Sequence, residues 1–166
     1  MDIKLREIDF NNSNDINFIL NARCSINYEC ESDLATKLGY ELYSQKWFSS
    51  EQPNQFLNQI KNSSLEKRNI TVIGEKDSAY VAYLWVNIID IPDFEITISN
   101  IIDIYVAEEF RNCNIASDLF IYAEQKSKME GASIIRSGTG YRNIASINLH
   151  KKSNFSNYRI VFEKFI

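Results

Sequence analysis

Alternating or continuous apolar runs along the chain predict six β-strands. Residues 2–8 alternate apolar and polar side chains, which is typical of a strand with one buried face. Residues 79–91 and 95–106 are long and rich in β-branched residues, which favour strands. The predicted strands are residues 2–8, 70–74, 79–91, 95–106, 132–137 and 158–166.

Apolar residues three or four positions apart predict helices between these strands. Ser13 or Asn14 is the expected N-cap of the first helix, because such side chains accept hydrogen bonds from the first turn. Gly131 follows another helix, as glycine does at helix ends. The predicted helices run from residue 13 or 14 to about 23, and over residues 33–48, 54–62, 114–130 and 144–152.

This order of elements, without an internal repeat or a linker, predicts one α+β domain over residues 1–166. Its central sheet is expected to be mixed and mostly antiparallel, with flanking helices. Hydrophobic residues make up 45% of the chain and charged residues 24%, which is typical of a globular protein.

The composition excludes several kinds of site and partner. No apolar run approaches the ~18 residues of a membrane span, and the N-terminal residues hold no apolar signal core, so we expect a cytoplasmic protein. Cys24, Cys30 and Cys113 match no zinc or disulfide spacing, and with one histidine no metal site is expected. The net charge of -4 disfavours nucleic acid as a partner.

Charge and residue usage are uneven along the chain. Residues 1–100 carry 15 acidic and 9 basic groups, whereas residues 101–166 carry 7 acidic and 9 basic groups. The later part therefore suits an anionic ligand and the earlier part a cationic one, with chance surface charge as the alternative. The 18 asparagines and 24 isoleucines indicate an AT-rich, bacterial genome.

Residues 103–117 contain a strand end, a loop and the start of a helix. A helix N-terminus carries unpaired backbone N–H groups and partial positive charge, and is therefore suited to bind a pyrophosphate. Arg111 adds a guanidinium to that site, and Ala116 and Ser117 are small enough to let a ligand approach the backbone.

This segment resembles the acetyl-CoA loop of the GNAT N-acetyltransferase superfamily, in which a strand ending in Val precedes Arg/Gln-x-x-Gly-x-Gly/Ala. Asn112 and Asn114 stand where the family usually has glycine, and asparagine adopts positive φ more readily than other non-glycine residues. The alternative is that Asn114 only caps a core helix. The matching residues are Val106, Phe110, Arg111, Ile115 and Ala116.

A second match follows at residues 143–155, where the family carries N-x-x-[AS]-x-x-L-Y-x-K-x-G-F. His150 stands in place of the tyrosine and Asn154 in place of the glycine. The resemblance covers about residues 70–166 and implies a GNAT-like fold. The matching residues are Asn143, Ser146, Leu149, Lys152 and Phe155.

The resemblance implies that acetyl-CoA is the cosubstrate. The backbone at residues 104–106 would pair with the pantetheine amides, the loop would hold the pyrophosphate, and Asn143 would bind the pantetheine arm. The implied cofactor-binding residues are Ile104, Tyr105, Val106, Arg111, Asn112, Cys113, Asn114, Ile115, Ala116, Ser117, Asn143 and Ser146.

Three groups are candidates for catalysis. The Val106 N–H resembles the family's donor to the oxyanion, and His150 stands where the family's tyrosine protonates the leaving sulfur. Asp103 is the best candidate for the base, although Ile102 replaces the acid that precedes it in some relatives. The alternatives are a solvated histidine near a helix C-terminus and a surface aspartate.

Glu29, Glu31 and Asp33 lie before or at the start of a predicted helix, in a region that shapes the acceptor pocket in the family. An acidic cluster there would favour a cationic amine. The alternative is ordinary solvated charge at a loop and a helix start.

The leading hypothesis is therefore an N-acetyltransferase that moves an acetyl group from acetyl-CoA to a primary amine by direct attack on the thioester. The acceptor is a small molecule, with a cationic one favoured, or a peptide amine. The first alternative is a non-catalytic acyl-CoA-binding domain, either a sensor or a degenerate relative. The second is a structural or partner-binding α+β domain without a CoA site. The terminal strand has apolar residues on both faces, which permits a homodimer.

Overall fold

The computed structural model describes residues 3–31, 33–164 and 166. Short 3-10 turns lie at Pro92–Phe94 and Glu108–Phe110. The elements in chain order are β1 (Lys4–Glu7), α1 (Ser13–Cys30), α2 (Asp33–Leu38), α3 (Tyr40–Phe48), α4 (Gln52–Ser64), β2 (Ile70–Lys76), β3 (Ala79–Ile91), β4 (Ile96–Val106), α5 (Ile115–Met129), β5 (Ile134–Arg136) and α6 (Ile144–Lys152).

The five strands form one sheet in the order β1-β2-β3-β4-β5. The first three pairs are antiparallel, and only β4 and β5 run parallel. This confirms the predicted mixed, mostly antiparallel sheet. The parallel pair requires a crossover, which α5 supplies.

Each face of the sheet is covered by its own apolar core. On one face α5 packs Leu119 and Ala123 against β3 and β4. On the other face α1 and α4 pack Ile19 and Ile60 around Tyr83 of β3. None of the helices in the described ranges is long and apolar enough to cross a membrane.

The N-cap of the first helix lies earlier than predicted, and the helix ends later. Its N-cap is Asn12, whose side chain accepts from the Asn14 N–H, so the expectation of Ser13 or Asn14 was wrong by one or two residues. The helix continues beyond residue 23 to Cys30, because Cys24 is buried and Ile26 packs on the α1-side core. Tertiary packing therefore extends a segment whose apolar spacing is irregular.

The helix predicted over residues 33–48 is two helices. Gly39 has φ +73° and separates α2 from α3. That backbone conformation lies outside the helical region and is accessible to glycine at low cost. The apolar spacing alone does not reveal the break, because Leu38 and Leu42 keep a four-residue interval across it.

The predicted terminal strand does not form over residues 158–164. Two predicted strand positions lie outside the described residues: residue 165 of this strand and residue 2 of the first one. Tyr158 places its ring 4.4 Å from the Arg136 guanidinium, but beyond it the chain leaves the sheet and Phe162 is 89% exposed. β5 has only three residues and offers a short edge for pairing.

A buried carboxylate joins β1, α1 and β3. The Asp15 side chain is fully buried and accepts two hydrogen bonds from Arg6, at 2.6 and 2.7 Å. It also accepts from the Asp9 N–H and the Tyr80 hydroxyl. The Arg6 hydrogen bonds lower the pKa of the Asp15 carboxyl below its ordinary value, against the opposing effect of burial.

Replacing Asp15 by Asn should lower the free energy of unfolding at pH 7 by about 3 kcal/mol, because it leaves the Arg6 guanidinium without its main partner. The depressed pKa stabilises the fold above the unfolded value of about 3.9, and that contribution is lost as the pH falls through the folded value. Denaturant titrations of wild type and variant from pH 7 to pH 3 should therefore show a stability difference that narrows below about pH 4. Glu124→Gln, in a surface pair with Lys128, is the control and should cost at most about 0.5 kcal/mol. Parallel curves across this pH range would contradict the assignment.

Candidate functional site

A cleft opens where β4 parts from β5. The two strands pair only at Ile98–Ile134, Ser99–Ile135 and Asn100–Arg136, after which β4 continues alone to Val106. The cleft has a volume of about 50 Å³. Its lining residues are Ile26, Glu29, Cys30, Ile101, Ile102, Asp103, Ile104, Ser137, Gly138, Thr139, Asn143 and Ser146.

A β-bulge accounts for the parting of the strands. Trp85 of β3 stands opposite Asp103, and the next residue, Val86, stands opposite Ile101, so Ile102 is an extra residue in β4. A bulge bends its strand and increases the local twist. The half of β4 that follows Ile102 therefore turns away from β5.

The end of β4 presents backbone groups to this cleft. The Ala107 N–H donates to the Val81 carbonyl of β3, at 2.9 Å. Because backbone direction alternates along a strand, Ile104 and Val106 turn their N–H and C=O groups away from β3, whereas Tyr105 turns its groups toward it. Of the three residues expected to pair with a pantetheine arm, Ile104 and Val106 thus have the required direction and Tyr105 does not.

The loop after β4 adopts the backbone conformation that its asparagines allow. Asn112 has φ 63° and Asn114 has φ 61°, both in the left-handed region. Asn154, the third asparagine in a family glycine position, has φ 62°. Asparagine is the non-glycine residue best suited to these values, as the sequence predicts.

The loop delivers the chain to the N-terminus of α5. Asn114 is the N-cap residue but its side chain makes no capping bond, and its carbonyl accepts from the Asp118 N–H. The first-turn N–H groups of Ile115, Ala116 and Ser117 have no intrahelical partners, as at any helix start. Cys113 is exposed.

Arg111 lies against both the strand end and α1. Its Nε donates to the Val106 carbonyl at 3.2 Å, and its Nη2 donates to the Glu29 carboxylate at 3.0 Å. The side chain is about two-fifths exposed, so solvent reaches the guanidinium beside these two bonds.

Asn143 and Ser146 form the first turn of α6. The Asn143 Oδ1 accepts from the Ser146 N–H at 3.0 Å, which caps the helix, and its Nδ2 donates to Glu29 at 3.1 Å. Both residues line the cleft. The expected cofactor-binding residues are thus gathered from β4, the following loop, α5 and α6.

His150 lies one turn beyond Ser146, between two aromatic rings. Its ring centroid is 5.0 Å from that of Phe120 and 5.2 Å from that of Phe155. Nδ1 lies 2.7 Å from the Ser146 carbonyl, so Nδ1 carries a proton. Nε2 is buried without a hydrogen-bond partner among the described residues. His150 is therefore a packed side chain, which does not fit the alternative of a freely solvated histidine.

Asp103 belongs to a buried ion pair and is not a surface residue. It is 2% exposed, accepts from the Tyr83 hydroxyl at 2.9 Å and pairs with the Arg23 guanidinium. Burial raises the pKa of the Asp103 carboxyl, and Arg23 opposes that change. Burial also raises the pKa of Tyr83 well above its ordinary value, so its hydroxyl remains a donor.

The acidic residues before and within α2 have specific partners. Glu29 bonds Arg111 and Asn143, and Asp33 accepts from the Tyr141 hydroxyl at 2.7 Å and from Arg142 at 3.3 Å. Arg142 also donates to the Glu31 carbonyl. These contacts join the end of α1 to the segment between β5 and α6.

Sequence reasoning missed most of these partners. Arg23 and Tyr83 carry no motif, and each meets Asp103 only through the packing of α1 and β3 against β4. Glu29 was expected only as one acid of a cluster that shapes an acceptor pocket, and its bonds to residues 82 and 114 positions away were not predicted. The motif registers at residues 103–117 and 143–155 and this acidic cluster signalled the site.

A family model described as the acetyltransferase (GNAT) family matches residues 36–155. The match contains both motifs and extends further toward the N-terminus than the resemblance seen from residue 70. No curated protein matches the chain.

Solved structures share the fold at low identity. A predicted acetyltransferase with acetyl-CoA from Clostridium acetobutylicum is 14% identical, with TM-score 0.70 and coverage of 98% of this chain and 96% of that one. An aminoglycoside 6'-N-acetyltransferase from Acinetobacter haemolyticus is 19% identical, with TM-score 0.64 and coverage of 100% and 99%. A glucosamine-6-phosphate N-acetyltransferase from Arabidopsis thaliana is 14% identical, with TM-score 0.61 and coverage of 98% and 97%.

The left-handed backbone at Asn114 gives a prediction on stability. Asn114→Val should lower the free energy of unfolding by about 1–3 kcal/mol, because a β-branched residue is strained at positive φ. Asn114→Gly should leave it within about 0.5 kcal/mol, since relief of strain offsets the added freedom of the unfolded chain. Denaturant unfolding measures both, with Asn148→Val on the exposed face of α6 as the control. Equal stability of the Val and Gly variants would contradict the reported loop conformation.

Proposed function

Since the chain belongs to the GNAT acetyltransferase family, we propose that it transfers an acetyl group from acetyl-CoA to a primary amine by direct attack on the thioester. Acetyl-CoA is the family's cosubstrate. The family assignment leaves the reaction of this chain and its acceptor open, and both are part of the proposal.

One arrangement carries the proposal: the free backbone of β4 leads directly into a helix N-terminus that has an arginine beside it. A long amide-bearing arm can pair with Ile104 and Val106 as an added strand. A pyrophosphate then meets the N–H groups at the start of α5 and the Arg111 guanidinium. Asn143 and Ser146 stand on the opposite wall of the cleft.

The reaction needs a donor to the oxyanion, a base for the amine proton and an acid for the sulfur. The acceptor nitrogen attacks the thioester carbonyl carbon, and the Val106 N–H stabilises the oxyanion that develops on the carbonyl oxygen. The intermediate then collapses, the C–S bond breaks, and the thiolate leaves. The nitrogen loses its proton and the sulfur gains one, so the products are an acetylated amine and CoA.

Asp103 is proposed as the base that takes the amine proton. It lines the cleft, and each carboxylate oxygen keeps a lone pair beyond its bond to Arg23 or Tyr83. A pKa raised by burial makes this carboxylate a stronger base than an exposed one. Arg23 and Tyr83 are positioning residues that hold its orientation.

His150 is proposed as the acid that protonates the sulfur. Because Nδ1–H is bonded to the Ser146 carbonyl, the proton must leave from Nε2, which requires the imidazolium form. Its position in the tyrosine register of the motif supports the role.

The acceptor is proposed to be a cationic small molecule, with a peptide amine as the other acceptor class. Glu29 lines the cleft, and Glu31 and Asp33 follow it closely in the chain, so the acidic charge of this segment supports a cation. Structural neighbours are named for an aminoglycoside and for glucosamine-6-phosphate, both amines. Four further parts of the proposal rest on composition and pattern: a single domain over residues 1–166, cytoplasmic location, bacterial origin and no nucleic-acid partner. The possible homodimer loses its support, because the terminal strand that would pair does not form over residues 158–164.

Calorimetry with acetyl-CoA tests the proposal first. We expect saturable binding by wild type, and Arg111→Ala should weaken it about fivefold or more, since a charge-assisted contact to phosphate is lost. At 100 times the Kd, acetyl-CoA should also stabilise the fold by about 2.7 kcal/mol. Arg68→Ala is the matched control, because Arg68 pairs with Asp90 and Glu130 instead. Absence of binding at millimolar acetyl-CoA would contradict the proposal.

His150→Phe tests the acid. Phenylalanine fits between Phe120 and Phe155, so acetyl-CoA affinity should change less than about twofold, whereas kcat should fall about 100-fold. Thiol release with a panel of primary amines measures kcat, and Asn148→Ala on the same helix is the control. An unchanged kcat would remove His150 from the mechanism. Acetyl-CoA binding by wild type without thiol release for any amine would instead favour the non-catalytic acyl-CoA-binding domain.

A further inference from the structure

Glu29 forms a bridge across the cleft. One carboxylate oxygen accepts from Arg111 Nη2 at 3.0 Å, and the other accepts from Asn143 Nδ2 at 3.1 Å. Arg111 stands on the loop after β4, and Asn143 on α6, so the end of α1 connects the two walls. We call this the Arg111–Glu29–Asn143 bridge.

The bridge occupies three groups that the proposed cofactor needs. Arg111 Nη2 donates to the Glu29 carboxylate, and the same carboxylate accepts from one of the two Asn143 Nδ2 hydrogens. The third group is the Val106 carbonyl, which accepts from Arg111 Nε with one of its two lone pairs, so an amide that pairs with it must share it with Arg111.

The cleft behind the bridge is small and tightly packed. Its volume of about 50 Å³ has room for only a few water molecules, which is far less than a pantetheine arm requires. Gly140, in the segment between β5 and α6, lies so close to the end of α1 that a Cβ on it would fall 2.7 Å from the Cys30 Cα. The walls must therefore separate before a ligand enters.

We infer that the Arg111–Glu29–Asn143 bridge is a latch that holds the cleft closed in the ligand-free protein, and that acetyl-CoA and Glu29 compete for the same donors. This inference rests on the proposed function. A carboxylate and a phosphate are alike to a guanidinium, so the phosphate can replace Glu29 on Arg111. The pantetheine arm can then replace it on Asn143.

Removal of the competing charge should tighten cofactor binding. Glu29→Gln keeps the shape of the side chain but makes weaker, uncharged bonds, so the Kd for acetyl-CoA should fall about three- to tenfold. Glu29→Ala should show the same direction of change. Calorimetry on the full chain, with acetyl-CoA as the probe, measures both. If the bridge only preorganised Arg111, both variants would bind acetyl-CoA more weakly. A higher or unchanged Kd in both variants would overturn the latch.

A matched control separates the latch from simple electrostatics. Glu109→Gln removes the same charge from the 3-10 turn beside the same loop, and Glu109 bonds neither Arg111 nor Asn143 among the described residues. Its effect on the Kd should be under about twofold and should vanish at high salt. Equal tightening by Glu29→Gln and Glu109→Gln would overturn the latch.

The failure of the latch and of the proposed function are distinguishable. Binding by wild type with no gain in the Glu29 variants overturns the latch alone. No binding by wild type, Glu29→Gln or Glu29→Ala at millimolar acetyl-CoA overturns the proposed function, and the latch with it.

Discussion

The site depends on one constraint, which is that β4 pairs with β5 over three residues and then continues without it. A strand in the interior of a sheet normally has its backbone N–H and C=O groups hydrogen-bonded on both sides. Where one side has no neighbouring strand, those groups must bond another partner or solvent. The extra residue Ile102 bends β4 at the point where β5 ends. Every other part of the candidate site follows from this opening, since the loop, α5 and α6 are all placed around the free end of β4.

The second constraint is the backbone of the loop that follows. A reversal from β4 into α5 within eight residues needs left-handed positions, and the chain meets that need with Asn112 and Asn114. Asparagine adopts such φ values at a lower cost than other residues except glycine, but it retains a Cβ and an amide group. A ligand at this loop therefore meets side chains where glycine would leave the backbone bare. That difference bears on affinity and not on the fold, because the helix start forms regardless.

The sequence predicts features that depend on residues close together within one helix, strand or loop. Strand alternation, helix spacing and the two motif registers depend on neighbouring residues, and they placed β2 to β4, α4 to α6 and the loop with its positive-φ asparagines. Contacts between distant residues were not predictable: Glu29 meets Asn143, and Arg23 meets Asp103, only after the helices pack on the sheet. The predictions of one helix over residues 33–48 and of a strand over residues 158–166 fail for a related reason. Apolar spacing does not show whether a neighbouring element exists to pack against.

Two carboxylates near the cleft differ because their surroundings differ. Asp103 is buried, its pKa is raised by desolvation, and Arg23 and Tyr83 fix its position, so it is suited to exchange a proton without moving. Glu29 is about one-third exposed and is bonded to side chains on two separate elements, so it can exchange partners at little desolvation cost. A buried ion pair resists displacement, whereas an exposed one contributes little stability and is easily replaced by a stronger anion. A carboxylate thus supports a fixed role in one position and a displaceable one in the other, and burial decides which.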